Sequence, residues 1–86
     1  MNAEKTYFTP QFSKKAGSTW WHMVKDAETS LVPLFNTPAE ANAWAEKKAE
    51  FIKEAGIPVV EIRVIPATEE SLRQKQIKFE ITGGNQ

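Results

Sequence analysis

Apolar and polar positions follow two different periods along this chain, and the longer period is the clearer. Between Thr37 and Gly56 apolar residues recur mostly every three or four positions, which is the spacing of one helical face. Thr37, Pro38 and Glu40 combine an N-cap, a proline at the first helical position and a glutamate that can reach back to the cap. Gly56 and then Pro58 end the pattern, so we predict one long helix between them.

This helix is predicted to have one apolar and one charged face. The apolar positions are Ala41, Trp44, Ala45, Ala49, Phe51, Ile52 and Ala55. Three of them, Ala41, Ala45 and Ala49, are small and stacked, so the helix backbone can approach a sheet closely. Lys48 falls within this stripe, where we expect its stem to pack and its ammonium group to reach solvent. The opposite side is charged, and we interpret it as solvated; it carries Glu40, Glu46, Lys47, Glu50, Lys53 and Glu54.

The strand-like segments surround this helix. Residues 19–25 and 30–35 are predicted to pair as a hairpin through the loop 26–29. Pro33 has no amide donor, which favours an edge position for the second of these strands. Residues 5–12 form a weaker strand that Pro10 is expected to break, and residues 13–18 a flexible basic loop.

The strand after the helix, residues 59–65, is rich in β-branched residues. Strand alternation predicts that one set of side chains faces the helix: Val60, Ile62 and Val64. The other set then faces away: Val59, Glu61, Arg63 and Ile65. Residues 67–75 are predicted as a short helix or turn. Residues 76–82 are a last strand with Ile77, Phe79 and Ile81 on one side.

This order of elements predicts an α+β fold, a small antiparallel or mixed sheet with one long helix packed on one face. We interpret residues 1–86 as a single domain with a flexible tail from about residue 83. A sheet of this kind leaves its second face in water unless another element covers it. We therefore expect the second face to be the working surface.

Charge and composition narrow the possible partners and compartments. Eleven basic and eleven acidic residues cancel, which removes the simple reason for non-specific binding to nucleic acid. The chain has no cysteine, as suits a reducing compartment. Neither a signal-peptide pattern nor an apolar run of the ~18–20 residues that a membrane span needs is present. We expect a cytoplasmic protein without a membrane association.

Few residues suggest catalysis. His22 is the only histidine, and no serine, cysteine or acidic residue stands at a spacing that suggests a triad. The carboxylates do not cluster into a zinc site, and the four glycines form no phosphate-binding loop. We predict a non-enzymatic protein with no catalytic residue, no metal and no cofactor.

Binding has more candidates. Trp20 and Trp21 are neighbours, so in a strand they point to opposite faces, and the outward one is a candidate anchor unless another segment covers it. Lys14 and Lys15 form a small basic cluster, which either contacts phosphate or is simply solvated. Glu61 and Arg63 are expected side by side on the face opposite the helix. We take these six residues as the candidate partner-binding surface.

The order of features over residues 21–67 is a strand, a strand with a Val-Pro pair, a helix and a final strand. The residues that carry it are Trp21, Val24, Ser30, Val32, Pro33, Leu34, Glu40, Ala41, Ala45, Glu46, Ala55, Gly56, Val59 and Arg63. This pattern, over about half of the chain, resembles the small phage-encoded inhibitor of bacterial RNA polymerase of the T-odd coliphages. The resemblance implies that arginines on the final strand and acidic residues on the helix contact the polymerase. Arg63 matches one such arginine, whereas Glu61 stands in the place of another.

A second pattern, in residues 18–21 and 35–44, is similar to the arm-binding domain of tyrosine recombinases, where three strands followed by a helix bind DNA. The predicted hairpin here carries Asp26, Glu28 and only Lys25, too few cations for a groove-reading sheet. The leading hypothesis is therefore a protein-binding module that docks on a host protein, with RNA polymerase as one candidate. A nucleic-acid-binding domain is the alternative. A monomer and a homodimer paired through a sheet edge both remain open.

Overall fold

The computed structural model describes residues 5–17 and 19–82. The elements are β1 (Tyr7–Ser13), β2 (His22–Met23), β3 (Val32–Leu34), α1 (Pro38–Glu54), β4 (Glu61–Ala67), α2 (Glu69–Gln74) and β5 (Phe79–Ile81). Strands β2, β1 and β4 form an antiparallel sheet in that order, and β3 pairs with β5 in parallel. An antiparallel bridge between Phe8 and Phe35 links the two sheets. The predicted α+β class, with a mixed sheet and one long helix, is confirmed.

Helix α1 begins where the capping signals predicted. The Glu40 amide donates to Thr37 Oγ1 at 3.2 Å, and the Thr37 amide donates back to a Glu40 carboxylate oxygen at 3.2 Å. Gly56 follows the helix with a φ of 91°, a conformation that glycine adopts without steric cost. The helix and its limits are therefore fixed by local sequence.

The alanine row of α1 packs on the sheet. Ala41, Ala45 and Ala49 are all buried, and Ala45 and Ala49 share a core cluster with residues from the sheet side: Phe12, Val24, Val59 and, partly buried, Ile62. The expectation that Phe51 belongs to this face is wrong, because its side chain is 66% exposed. Phe51 lies two residues after Ala49, which is ~200° further around the helix. Ala55, the C-cap, is exposed as well.

The second face of the sheet is partly covered. Tyr7 and Phe12 lie on opposite faces of β1 by strand alternation, and Tyr7 belongs to a separate cluster with residues of β3, β4 and α2: Val32, Leu34, Ala67 and Leu72. Ile77 and Phe79 of the last segment pack against it, whereas Ile81 is exposed. The predicted short helix exists as α2. The second face is thus open only towards the other end of the sheet, where Gln11 of β1 pairs with Arg63 of β4 and Ser13 pairs with Glu61.

The predicted hairpin of residues 19–25 with 30–35 is wrong. A turn does form between them, since the Ser30 amide donates to the Asp26 carbonyl at 2.7 Å. However, β2 pairs with β1, and β3 pairs with β5. Pro33 is compatible with the pairing of β3 and β5. The Val32 amide donates to the carbonyl of Lys78, just before β5, so the nitrogen of Pro33 points away from β5.

The N-terminal strand is central, although Pro10 was expected to break it. The amides and carbonyls of Phe8 and Phe35 bond to each other at 2.8 and 2.9 Å, so these groups of Phe8 point away from β4. By alternation the nitrogen of Pro10, two residues on, also points away from β4. Pro66 stands opposite Phe8, and its nitrogen points to the outer edge of β4 by the same rule. Both prolines therefore leave the β1–β4 ladder intact.

The predicted alternation of side chains along residues 59–65 is also wrong in part. Val59 is buried at 7% exposure, whereas Val60 is 52% exposed. The Val60 amide donates to the Ser13 carbonyl at 2.8 Å, and Ser13 is also the register partner of Glu61. Two consecutive residues thus lie opposite one, which is the arrangement of a β-bulge and shifts the alternation by one position. After the bulge, Ile62 packs towards α1 and Arg63 faces away, as predicted.

Candidate interaction surface

Arg63 is held in place by two neighbours on the open part of the sheet. It pairs in register with Gln11 of β1, and its Nε donates to Gln11 Oε1 at 2.7 Å. The guanidinium carbon lies 4.2 Å from the centroid of the Trp21 ring. Gln11 is only 9% exposed, so its amide is itself fixed by packing. Stacking and a hydrogen bond together restrict the rotamers that Arg63 can adopt.

These contacts leave one side of the Arg63 guanidinium available. Within residues 5–17 and 19–82 its terminal nitrogens donate no hydrogen bond. A guanidinium has five N–H donors in a planar fork, and the terminal pair matches the two oxygens of a carboxylate or phosphate. Chemically, this arrangement is able to accept a planar anionic group such as a carboxylate.

The connection between β1 and β2 brings Trp21 to this position. Phe12 pairs with His22, so residues 14–21 form the connecting loop and Trp21 immediately precedes the return strand. At the start of the loop the Ser13 hydroxyl donates to the Lys15 carbonyl at 2.7 Å. Gly17 takes a φ of 73°, which lets the loop reverse direction. The loop thus places Trp21 over the register pair of Gln11 and Arg63.

Trp20 and Trp21 differ strongly in exposure. Trp21 is half-buried by its stacking on Arg63, whereas Trp20 is 77% exposed. The sequence left open which of the two faces solvent. The structure shows that Trp20 is the outward ring, beside the residue that holds Arg63.

The remaining predicted site residues lie at the same end of the sheet. Lys14 and Lys15 are exposed in the loop that follows β1. Glu61 is half-buried opposite Ser13, the residue just before the lysines. Within the described part of the chain, no hydrogen bond or ion pair joins Lys14, Lys15 or Glu61 to Arg63. Hereafter the Arg63 surface denotes Arg63, Trp21, Gln11, Trp20 and Glu61.

Gln11 is the member of this surface that sequence reasoning missed. Residues 5–12 were taken as a weak strand broken at Pro10, so no partner was sought there. The available signal was the alternation of Tyr7, Thr9, Gln11 and Ser13 against Phe8, Pro10 and Phe12. That pattern places a polar, hydrogen-bonding side chain on one face of an otherwise apolar strand.

A second surface feature lies beside α1. An open depression of about 440 Å³ is lined by residues of the 26–28 turn and of the helix, chiefly Trp44, Lys48 and Phe51. The Lys48 ammonium lies 5.8 Å from the Trp44 ring and 5.9 Å from the Phe51 ring, so its half-buried stem packs along the aromatics. The lining of this depression mixes acidic and basic residues and offers no convergent set of polar groups.

Other chemistry has little support in residues 5–17 and 19–82. In these ranges no three histidine, cysteine or acidic side chains come close enough to hold a metal ion. His22 is exposed on β2. Neither helix found in the same ranges has the length and apolar character needed to cross a membrane. Comparison with known protein families, with curated proteins and with solved structures gives no match to this chain.

Proposed function

We propose that this chain is a small, non-enzymatic protein-binding module that docks on a host protein through the Arg63 surface. One observation carries the proposal: the Arg63 guanidinium is fixed by Trp21 and Gln11 while its terminal nitrogens stay available. Arginine and tryptophan are the residues that most often dominate interface energies. A side chain that is already ordered also loses less entropy when a partner binds.

The geometry favours a partner that presents a carboxylate beside an apolar group. The carboxylate would accept two parallel hydrogen bonds from Arg63, and the apolar group would cover the exposed ring of Trp20. Glu61, two residues from Arg63 on the same strand, would repel a second acidic group and so select the position of the first. The resemblance described above makes bacterial RNA polymerase the first purified partner to test, with inhibition of its transcription as the functional readout.

The experiment compares the wild-type chain with Arg63→Glu and Arg63→Lys. Each is used to capture proteins from a nuclease-treated bacterial lysate, and each is then titrated against purified RNA polymerase or the captured protein. Arg63→Glu should raise Kd at least about 5-fold, the equivalent of ~1 kcal/mol, because the interface then meets a charge of the wrong sign. Arg63→Lys should bind with intermediate affinity, since lysine keeps the charge but cannot bind bidentately.

Lys53→Glu is the matched control. It makes the same change of charge on the exposed face of α1, so it should leave Kd unchanged. Because Lys53 lies in the last turn of the helix, the melting temperature should fall slightly. If Arg63→Glu binds as well as wild type while remaining folded, the partner docks elsewhere. If Arg63→Glu unfolds, the role of Arg63 is structural and the proposal fails.

Binding to single-stranded nucleic acid is the second candidate function. The observation in its favour is that Lys14, Lys15 and Trp20 are all exposed in one loop, and lysines with an aromatic ring can hold a phosphate and stack a base. Titration of a fluorescent oligonucleotide at increasing salt distinguishes the two functions. Micromolar binding with a steep salt dependence, lost in Trp20→Ala, would favour this candidate.

A further inference from the structure

The two arginines of the sequence, Arg63 and Arg73, are held by different kinds of acceptor. Arg73 forms an ion pair with Glu69, in which Nη2 lies 3.0 Å from a carboxylate oxygen. Arg63 donates instead from Nε to the neutral side-chain amide of Gln11. Within residues 5–17 and 19–82, Arg63 forms no ion pair with a carboxylate. Its positive charge therefore stays uncompensated, whereas the charge of Arg73 is paired.

Gln11 can hold the guanidinium at one nitrogen only. An arginine side chain has donors alone, so Gln11 must present its oxygen, and the other terminal atom of its amide is itself a donor. A glutamate in the same place would present a second oxygen, and a carboxylate accepts two parallel hydrogen bonds from a guanidinium. It would occupy a terminal nitrogen of Arg63 as well as Nε, and it would cancel the charge.

The neutral acceptor is itself fixed in position. Gln11 is buried and lies directly opposite Arg63 in the register of β1 and β4. On another side the ring of Trp21 stacks on the guanidinium. Neither neighbour carries a charge, so the two restrict the rotamers of an exposed arginine without neutralising it.

We infer that Gln11 is a positioning residue, whose neutral amide orients Arg63 and leaves the positive charge and the terminal nitrogens to a carboxylate of the partner. This role rests on the proposed function and deepens it, since it assigns the residue that keeps the anion-binding group open. The pair of Arg73 with Glu69 shows what the chain does where the charge of an arginine is not kept open.

Two substitutions of nearly the same size separate charge from hydrogen bonding. Gln11→Glu keeps an acceptor for Nε but adds a carboxylate, whereas Gln11→Met removes the acceptor and leaves Arg63 charged. Both are titrated against purified RNA polymerase or the captured protein. Gln11→Glu should raise Kd at least about 5-fold, as Arg63→Glu does. Gln11→Met should raise Kd only about 2-fold, because the ordering of the side chain is lost but its charge is kept.

A purely structural role of Gln11 would give the reverse order. Gln11→Glu would then bind like wild type, since the hydrogen bond is kept, and Gln11→Met would be the damaging change. Circular dichroism establishes that each variant is folded. If Gln11→Glu does not fold, Gln11→Met decides alone, and a loss of affinity as large as that of Arg63→Glu overturns the inference.

A second readout needs no partner. Phenylglyoxal reacts with the terminal nitrogens of arginine, and cleavage after glutamate places Arg63 and Arg73 in different peptides for mass spectrometry. Labelling of Arg63 should slow several-fold in Gln11→Glu and stay near the wild-type rate in Gln11→Met. Glu69→Gln is the matched control, because it should speed the labelling of Arg73 and leave that of Arg63 unchanged.

The two readouts distinguish failure of this role from failure of the proposed function. The role of Gln11 is overturned if Arg63 in folded Gln11→Glu is labelled as fast as in wild type. It is also overturned if this variant binds like wild type while Arg63→Glu does not, and the proposed function then stands. If labelling slows as expected but neither Gln11→Glu nor Arg63→Glu changes Kd, the effect of Gln11 on Arg63 is supported and the proposed function fails.

Discussion

Replacing Ala45 with glutamate tests how α1 packs on the sheet. Ala45 has no exposed surface and lies in the cluster formed with Phe12, Val24 and Val59. Its neighbour Ala43, on the same helix, is exposed. The same substitution at these two positions therefore separates the effect of burial from the effect of helix propensity.

The cost at Ala45 has two parts. A buried carboxylate without a partner becomes protonated, and protonating a glutamate of ordinary pKa, ~4.3, at pH 7 costs about 3.7 kcal/mol. Fitting the longer side chain into a packed core adds about 1–3 kcal/mol. The whole domain is expected to be stable by about 4–13 kcal/mol, at 0.05–0.15 kcal/mol per residue. Ala45→Glu should therefore remove most of the free energy of unfolding.

Urea unfolding followed by circular dichroism at pH 7 measures both variants. Ala43→Glu should change the free energy of unfolding by less than about 0.5 kcal/mol. Ala45→Val, which only overfills the site, should cost about 1–3 kcal/mol and keeps the comparison measurable if Ala45→Glu does not fold. Equal changes for Ala43→Glu and Ala45→Glu would show that the helix presents another face to the sheet.

Further substitutions address single features. Thr37→Ala should cost about 1 kcal/mol of stability in the same urea experiment, because the capping hydrogen bond to the Glu40 amide is lost. Gly56→Ala should cost about 1–2 kcal/mol through its positive φ alone, since an added Cβ meets no atom within 4 Å. Trp21→Ala should raise the Kd for the host protein by a factor similar to that for Arg63→Ala, because the guanidinium loses the ring on which it stacks; unchanged Kd in the titration would contradict this. Wild type should show no binding to random duplex DNA in a gel shift at physiological salt, since its charges cancel.

The helix could be predicted from sequence because all of its signals are local. The cap at Thr37, the alanine row and the stop at Gly56 lie within one continuous segment, and none depends on a distant partner. The fold class followed from the order of the elements. Phe51 shows the limit of the same reasoning, because an apolar residue near the stripe was counted as part of it.

Strand pairing could not be predicted in the same way. Pairing of β1 with β4 depends on residues far apart in the chain, and Pro10 is tolerated only because of the direction in which its nitrogen points. The Val60 amide donates to the Ser13 carbonyl, and the resulting bulge shifts the side-chain alternation by one position. Ser13 is distant in the sequence, so the shift could not be predicted. The candidate site also combines features that the sequence predicts with features that it does not. Arg63 and Trp21 could be named from sequence, whereas their contact and the part played by Gln11 required the register.

The central position of β1 determines when the chain can fold during synthesis. Gln11 and Arg63, which face each other across the sheet, are 52 residues apart. At about 5–20 residues per second, a ribosome needs roughly 3–10 s to make the segment between them. During that interval α1 can form locally, but the strand against which it packs lacks its main neighbour. The nascent chain therefore exposes Phe8 and Phe12 for seconds, which makes early chaperone contact at this segment a consequence of the topology.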